Sequence, residues 1–149
     1  MTYSLPLTTN FFAIIVAGGS GSRMKSSVPK QFLLFNGKPI LQHTIERFLA
    51  VPVLSSESGT HERRTAVRLI LVLPARDLIT WQQLCEQHQF YPSIQTVAGG
   101  TTRFQSVRNG LNAIDAANGI VAVHDGVRPF VSPDIITVSY THLTLPTKA

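Results

Sequence analysis

This sequence is short of acid. Eight carboxylates stand against thirteen lysines and arginines, and the first of them, Glu46, follows Arg23, Lys25, Lys30 and Lys38. A stretch that carries cations and no carboxylate suits a polyanionic ligand. Cysteine is nearly absent as well. The single Cys85 excludes an internal disulfide and any cysteine-based zinc site, and its place in Trp81-Gln82-Gln83-Leu84-Cys85 reads as a buried helix position. No apolar run reaches the length of a membrane-spanning helix. The N-terminus has neither a charged n-region nor a long apolar h-region, so no secretory signal is evident and the cytoplasm is the expected location. The cations do not interleave with aromatics and no helix carries a basic stripe, which argues against a nucleic-acid partner. What is left, 149 residues at 44% hydrophobic and 14% charged, has the composition of one globular domain with a real core.

Apolar periodicity orders the chain as strands alternating with helices. Phe11 to Ala17 reads as a strand buried on both faces. Leu33 to Ile40 reads as a short hairpin about Asn36-Gly37, a dipeptide that accepts positive φ. Pro39 then opens a helix with Leu41, Ile45, Phe48 and Leu49 at helical spacing. Residues 51–65, polar and rich in Ser, Gly and Glu, read as a surface loop. A second buried strand, Val67 to Leu73, is stopped by Pro74. A helix follows, with Asp77 in its first turn and Leu78, Trp81, Leu84 and Cys85 as its apolar face. Ile94 to Ala98 is a short third strand. The next helix carries Phe104, Val107, Leu111 and Ile114 on one side, and Gly119 to His124 is a fourth strand. Ser132-Pro133-Asp134 combines an N-cap, a proline at the first helical position and an acid in the first turn. The alternation predicts an α/β fold with a mostly parallel sheet.

Glycine is concentrated where ligands bind in such sheets, beyond the carboxyl ends of the strands. Ala17-Gly18-Gly19-Ser20-Gly21-Ser22-Arg23-Met24 follows the first strand and Pro29-Lys30-Gln31 comes soon after. Both the P-loop and the dinucleotide fingerprint require glycine at the position Met24 occupies, so neither applies. Backbone amides of Gly18 to Gly21 can still cradle phosphates, because no Cβ stands in the way. Arg23 and Lys30 are the candidate catalytic cations, able to offset charge developing at phosphorus, whereas Lys25 and Lys38 read as surface. Gly99-Gly100-Thr101-Thr102-Arg103 follows the third strand, where Gly100 and Ser106 are candidates to meet a base or ribose and Thr101 or Thr102 to cap a helix. Asp125 ends the fourth strand in His124-Asp125-Gly126-Val127-Arg128-Pro129. It is a candidate Mg²⁺ ligand or a turn residue. Arg128 is either a ligand for the phosphate of an acceptor or half of a structural ion pair. His124 reads as a packing residue or as a support behind a site; His43, His61 and His88 have no partner at metal spacing.

Gly-Gly-Ser-Gly-Ser-Arg-Met, Val-Pro-Lys-Gln-Phe, Gly-Gly-Thr-Thr-Arg-Phe-Gln-Ser-Val and His-Asp-Gly-Val-Arg-Pro-Phe, in this order and spacing, resemble the 2-C-methyl-D-erythritol 4-phosphate cytidylyltransferase family from about Phe11 to Val138. The resemblance implies a Rossmann-like nucleotidyltransferase fold and a Mg²⁺-dependent transfer of CMP from CTP to a polyol phosphate. The acceptor phosphate would attack the α-phosphorus in line and release pyrophosphate. It further implies that Arg23 and Lys30 are the catalytic cations. Gly18, Gly19 and Gly21 would hold the triphosphate, Gly100, Thr101 and Ser106 the cytidine, and Asp125 the metal and the acceptor; beside these, Ala17 and Lys30 are candidates for the nucleotide and Arg128 for the acceptor. Thr101 departs from the family pattern, in which an acidic residue is common at this position. Ribitol-5-phosphate cytidylyltransferases share the same N-terminal motifs, and a nucleotide-binding module without catalysis is the alternative from another class.

From Ser139 the sequence turns β-branched and closes on Pro146, where a helix begun at Pro133 is expected to run on for several turns. Residues 1–138 are therefore read as the N-terminal part of a cytidylyltransferase domain, and 139–149 as a non-native tail that resembles translated adapter sequence. Family members continue with a dimerisation arm, acceptor-binding residues and a further Asp and Lys. The expectation is a homodimer for the full-length form and little or no turnover by this chain alone.

Overall fold

The structure, a computed structural model, describes residues 10–18, 28–55, 63–116 and 118–141. In chain order its elements are β1 (Phe11–Val16), β2 (Leu34–Phe35), β3 (Lys38–Pro39), α1 (Ile40–Leu49), β4 (Pro52–Ser55), β5 (Arg63–Ala66), β6 (Arg68–Leu73), α2 (Leu78–Gln87), β7 (Gln95–Ala98), α3 (Arg103–Asn112), β8 (Ile120–Asp125) and α4 (Pro133–Thr141). β7, β6, β1 and β8 form one sheet in that order, every neighbouring pair parallel. The chain steps outward from β1 to β6 and β7, then returns to β8 on the far side of β1. The strand order therefore reverses between β1 and β8, the kind of switch point where open α/β sheets bind ligands.

Strand alternation divides the core. Phe11, Ala13 and Ile15 face the same side as Leu69, Leu71 and Leu73 and meet Leu41, Ile45 and Phe48 of α1, Trp81 of α2, and Ile136 and Tyr140 of α4. Phe12, Ile14 and Val16 face the other side with Ile70 and Val72, beneath Val107 of α3. The approach of α3 depends on Gly110. A Cβ there would lie 2.8 Å from Ile14 Cγ2 and 3.1 Å from Val72 Cγ2.

That close approach corrects one sequence expectation. Phe104 and Leu111 were expected on the apolar side of α3, yet they are exposed; the stripe against the sheet is Val107 and Gly110, with Ala113 and Ile114 just beyond the helix. The small residue sets the contact, and the large ones are displaced to solvent. Leu49 likewise ends α1 exposed. The stretch 51–65, read as a loop, instead forms an antiparallel hairpin, with β4 and β5 paired from Pro52 opposite Ala66 to Ser55 opposite Arg63. Val51 and Val67 are buried at its base, so both ends are pinned, and residues 52–55 and 63–66 satisfy backbone hydrogen bonds across the ribbon. The hairpin around Asn36-Gly37 forms as expected, with φ of 49° and 79° at the two turn residues.

α4 continues through Thr141 despite its β-branched sequence. Tyr140 anchors it. The residue is 1% exposed, its ring lies edge-on to Phe11 at 5.3 Å, and its hydroxyl donates to the Phe12 carbonyl at 2.6 Å. Tertiary contact of this kind routinely overrides weak helix propensity. Residue 140 of the stretch read as a tail is thus part of the core; 142–149 lie outside the described residues.

Candidate functional site

Three loops leave the carboxyl edge of the sheet around the switch point, and backbone hydrogen bonds tie each to a neighbouring strand. The Ala17 N–H donates to the Val72 carbonyl at 3.0 Å, Gly99 to Leu73 at 2.7 Å and Gly126 to Val16 at 2.9 Å. The first and last loops touch. A Cβ on Gly126 would stand 2.7 Å from the Ala17 Cβ, so only glycine lets the Asp125 loop close on the end of β1. Gly18 is exposed at this edge. Ala17 is buried with both backbone groups engaged, its carbonyl accepting from Gln31 Nε2 at 3.2 Å, so it underpins the loop rather than offering an amide to a ligand. Gly19, Gly21 and Arg23 lie outside the described residues.

Gln31 explains how the Pro29-Lys30 segment is placed. Its amide also donates to Asp77 Oδ2 at 3.4 Å, and neighbouring Phe32 stacks on Trp81 at 6.1 Å. The turn Lys30–Phe32 is therefore bolted beneath the end of β1 by two buried side chains, while Lys30 itself stands exposed. Sequence reading passed over Gln31, and a single glutamine beside a lysine carries no pattern that would have singled it out.

The loop after β7 caps itself. Thr102 is the N-cap of α3 and accepts from the Gln105 N–H. The Gly100 N–H donates to Ser106 Oγ at 3.1 Å and the Thr101 N–H to Gln105 Oε1 at 2.8 Å. Gly100, Thr101 and Ser106 are thus one hydrogen-bonded unit. Ser106 accepts with its oxygen and retains its own proton to donate.

Asp125 is the centre of charge. One carboxylate oxygen accepts from Arg103 Nη1 at 2.5 Å; the other lies 3.2 Å from Arg128 Nε. The sequence left Arg128 open between a phosphate ligand and an ion pair, and in this structure it holds the ion pair. Its carbonyl also meets His124 Nε2 at 3.0 Å, and the His124 ring packs on Phe48 at 5.0 Å, so His124 both packs and supports the Arg128 turn. Arg103 is the residue the sequence reading missed. A signal was available: it is the first residue of α3, where the helix dipole disfavours a cation, and a side chain there needs another employment.

Among the described residues no group of three or more His, Cys, Asp or Glu gathers to hold a metal. Magnesium is commonly bound through one or two carboxylates with substrate phosphates completing its shell. Asp125 fits that pattern as a lone carboxylate for an ion that arrives with a phosphate, not as a site preformed by protein alone. Cys85 plays no part here. Burial, then the Glu86 charge, pushes its thiol up to about 11, which keeps it protonated and unreactive.

A cavity of about 600 Å³ opens beside Arg128, walled by Phe35, Pro129, Phe130 and Val131. Phe35 and Phe130 meet edge to face at 5.4 Å. This wall is apolar and poorly matched to a polyol.

With this geometry in view, the family model described as IspD: 2-C-methyl-D-erythritol 4-phosphate cytidylyltransferase matches residues 11–145. The chain belongs to this family. A member from Azobacteroides pseudotrichonymphae genomovar. CFP2 is 47% identical over 125 residues, which cover 84% of this chain and 50% of the relative. Another, from Bacteroides thetaiotaomicron, is 47% identical over 127 residues, 85% of this chain and 52% of the relative. The crystal structure of 4-diphosphocytidyl-2C-methyl-D-erythritolsynthase from Anaerococcus prevotii superposes with a TM-score of 0.62 at 29% identity, covering 86% of this chain and 48% of that one. The nucleotidyltransferase α/β fold expected from the sequence is therefore the observed one. The chain spans about half the length of the curated relatives it matches.

Proposed function

We propose that this chain carries the CTP-binding half of a cytidylyltransferase that transfers CMP to 2-C-methyl-D-erythritol 4-phosphate and releases pyrophosphate. The observation that carries the reading is the convergence of the Gly18 loop, the Gly100–Ser106 unit and the Asp125–Arg128 pair on one sheet edge, around the switch point, in a chain of this family. Amides of Gly18, Gly19 and Gly21 hold the triphosphate, with Arg23 and Lys30 offsetting the charge that develops as the α-phosphorus is attacked. Gly100, Thr101 and Ser106 receive the cytidine, Ser106 through the proton its hydroxyl retains. Asp125 and Arg128 face the acceptor. A Mg²⁺ ion held by Asp125 and the phosphates would offset phosphate charge. The enzyme works in the cytoplasm as a homodimer, on small molecules and without nucleic acid or membrane.

The test is binding, measured calorimetrically on this chain with Mg²⁺ present. CTP is expected to bind more tightly than ATP or GTP. Lys30→Ala is expected to weaken CTP by about tenfold or more, the order of one lost charge-assisted contact. Equal binding of the three nucleotides sinks the cytidine assignment, and unchanged binding by Lys30→Ala removes Lys30 from the site.

A further inference from the structure

The mechanism above assigns Asp125 and Arg128 but gives Arg103 no work. Yet Arg103 makes the shorter of the two ion pairs to Asp125, 2.5 Å against 3.2 Å. It does so from the opposite side of the site. α3 begins after β7, the outermost strand on one side, and Asp125 ends β8, the outermost on the other. The Arg103 side chain therefore bridges the cytidine loop to the acceptor loop. Among the described residues it has no other polar partner, and more than half of its side chain is exposed.

Two guanidiniums on one carboxylate occupy both its oxygens and leave one positive charge in excess. A divalent cation on Oδ1 would stand at contact distance from the Arg103 guanidinium, and the two positive charges would repel each other. A guanidinium is also an unusual resident at the first position of a helix, whose N-terminal amides already present partial positive charge. Such a side chain is readily drawn to a polyphosphate, which offers more negative charge than a single carboxylate and suits the planar fork of arginine.

We propose that Arg103 is a positioning residue that stands in for the divalent cation at Asp125 until nucleotide arrives. In the free protein it holds the carboxylate oriented, and it keeps the ion from binding there alone. When a triphosphate enters the edge, Arg103 exchanges Asp125 for phosphate and the carboxylate becomes available to the ion that accompanies it. Cation and nucleotide then bind synergistically, with Arg103 as the element both of them bias. The proposal rests on the reading of this edge as a nucleotide site, but its central claim concerns the free protein and is tested there.

The probe is Mn²⁺ alone, titrated into the 149-residue chain without nucleotide and followed by water-proton relaxation. Arg103→Gln is expected to bind Mn²⁺ about tenfold more tightly than the parent, the order expected when one contact charge stops competing at a partly exposed site. Arg103→Lys, which keeps a charge but not the fork, is expected to show a smaller gain. The double variant Arg103→Gln/Asp125→Asn is expected to lose the gain. Arg108→Gln removes an exposed charge from the same helix away from Asp125 and is expected to leave Mn²⁺ affinity unchanged. The proposal is overturned if neither Arg103 variant binds Mn²⁺ more tightly, if the gain survives in the double variant, or if Arg108→Gln matches it. Because no nucleotide is present, a chain that fails to discriminate CTP defeats the functional reading while this comparison remains readable.

Discussion

The two inner strands and the two outer strands of the same sheet are built for different purposes. Every residue of β1 is buried, and β6 is buried from Leu69 to Leu73. β8 has no fully buried residue and β7 is largely exposed. The inner pair supplies the core on both faces; candidate site residues gather at strand ends, Gly99 and Gly100 leaving β7, Asp125 closing β8, and the Gly18 loop beyond the end of β1. A parallel sheet buried on both faces leaves no room for charge in its middle, so polar side chains collect at strand ends and edges. Burial is thereby concentrated in the strands, and the candidate site residues in the loops those strands hold.

The largest test of this division is Leu71→Ala, at a residue with 0% exposure in the inner strand β6. It is expected to cost about 2–5 kcal/mol in urea unfolding, the range for emptying a well-packed core position. A loss under about 1 kcal/mol would mean that the inner strands do not carry the fold. Next is Tyr140→Phe. The hydroxyl donates to the Phe12 carbonyl of β1, so it ties α4 to an inner strand. At neutral pH its loss is expected to cost about 1–2 kcal/mol. Burial raises the phenol above its ordinary value of 10.0, so the folded state holds its proton more tightly than the unfolded state does. The stability this residue contributes is complete below that value and falls as pH rises through it. Urea melts at increasing alkaline pH are therefore expected to narrow the gap between parent and Tyr140→Phe. A gap independent of pH would place the hydroxyl outside the core.

The inner strands were the legible part of the sequence, and the reason is the same burial. Phe11 to Val16 and Leu69 to Leu73 are unbroken apolar runs bounded by glycine or proline, and so few structures accept such runs that composition alone identifies them. The site was legible as loops and much less so as contacts. Gly18, Gly100 and Asp125 each follow a strand, and strand ends place them on one edge. Nothing local announces that Gln31 fastens the Lys30 turn beneath Ala17, because that contact depends on how the turn packs. Arg103 meets Asp125 across 22 residues and the whole width of the sheet, a pairing no window of sequence contains. The misplacement of Phe104 and Leu111 has the same origin. Periodicity marks which residues share a helix face, but the close approach at Gly110 decided which face met the sheet.

At the outer strands the expected effects shrink and become local. Thr102→Ala removes the N-cap of α3 at the loop after β7, and is expected to cost about 1 kcal/mol in urea unfolding. The cap also shapes the Gly100–Ser106 unit, so if this loop receives cytidine the same variant should weaken CTP more than it weakens the fold. Equal losses in both would reduce Thr102 to a structural cap.

The smallest effect sharpens the contrast most. Val123 sits in the middle of β8 and is 43% exposed, whereas Ile14, its register partner in β1, is 0% exposed. Val123→Thr keeps the β-branched shape favoured in strands and exchanges a methyl for a hydroxyl that water can reach. It is expected to change stability by less than about 0.5 kcal/mol. The corresponding Ile14→Thr buries a hydroxyl under α3 beside Gly110, at a position packed without slack, and is expected to cost several-fold more. Both substitutions introduce threonine at paired positions of adjacent strands, so backbone preference is nearly constant between them and the difference reports burial. Comparable losses at the two sites would mean that β8 is shielded from solvent when the chain is in solution. The division between a buried interior and a polar rim would then have to be redrawn one strand further out.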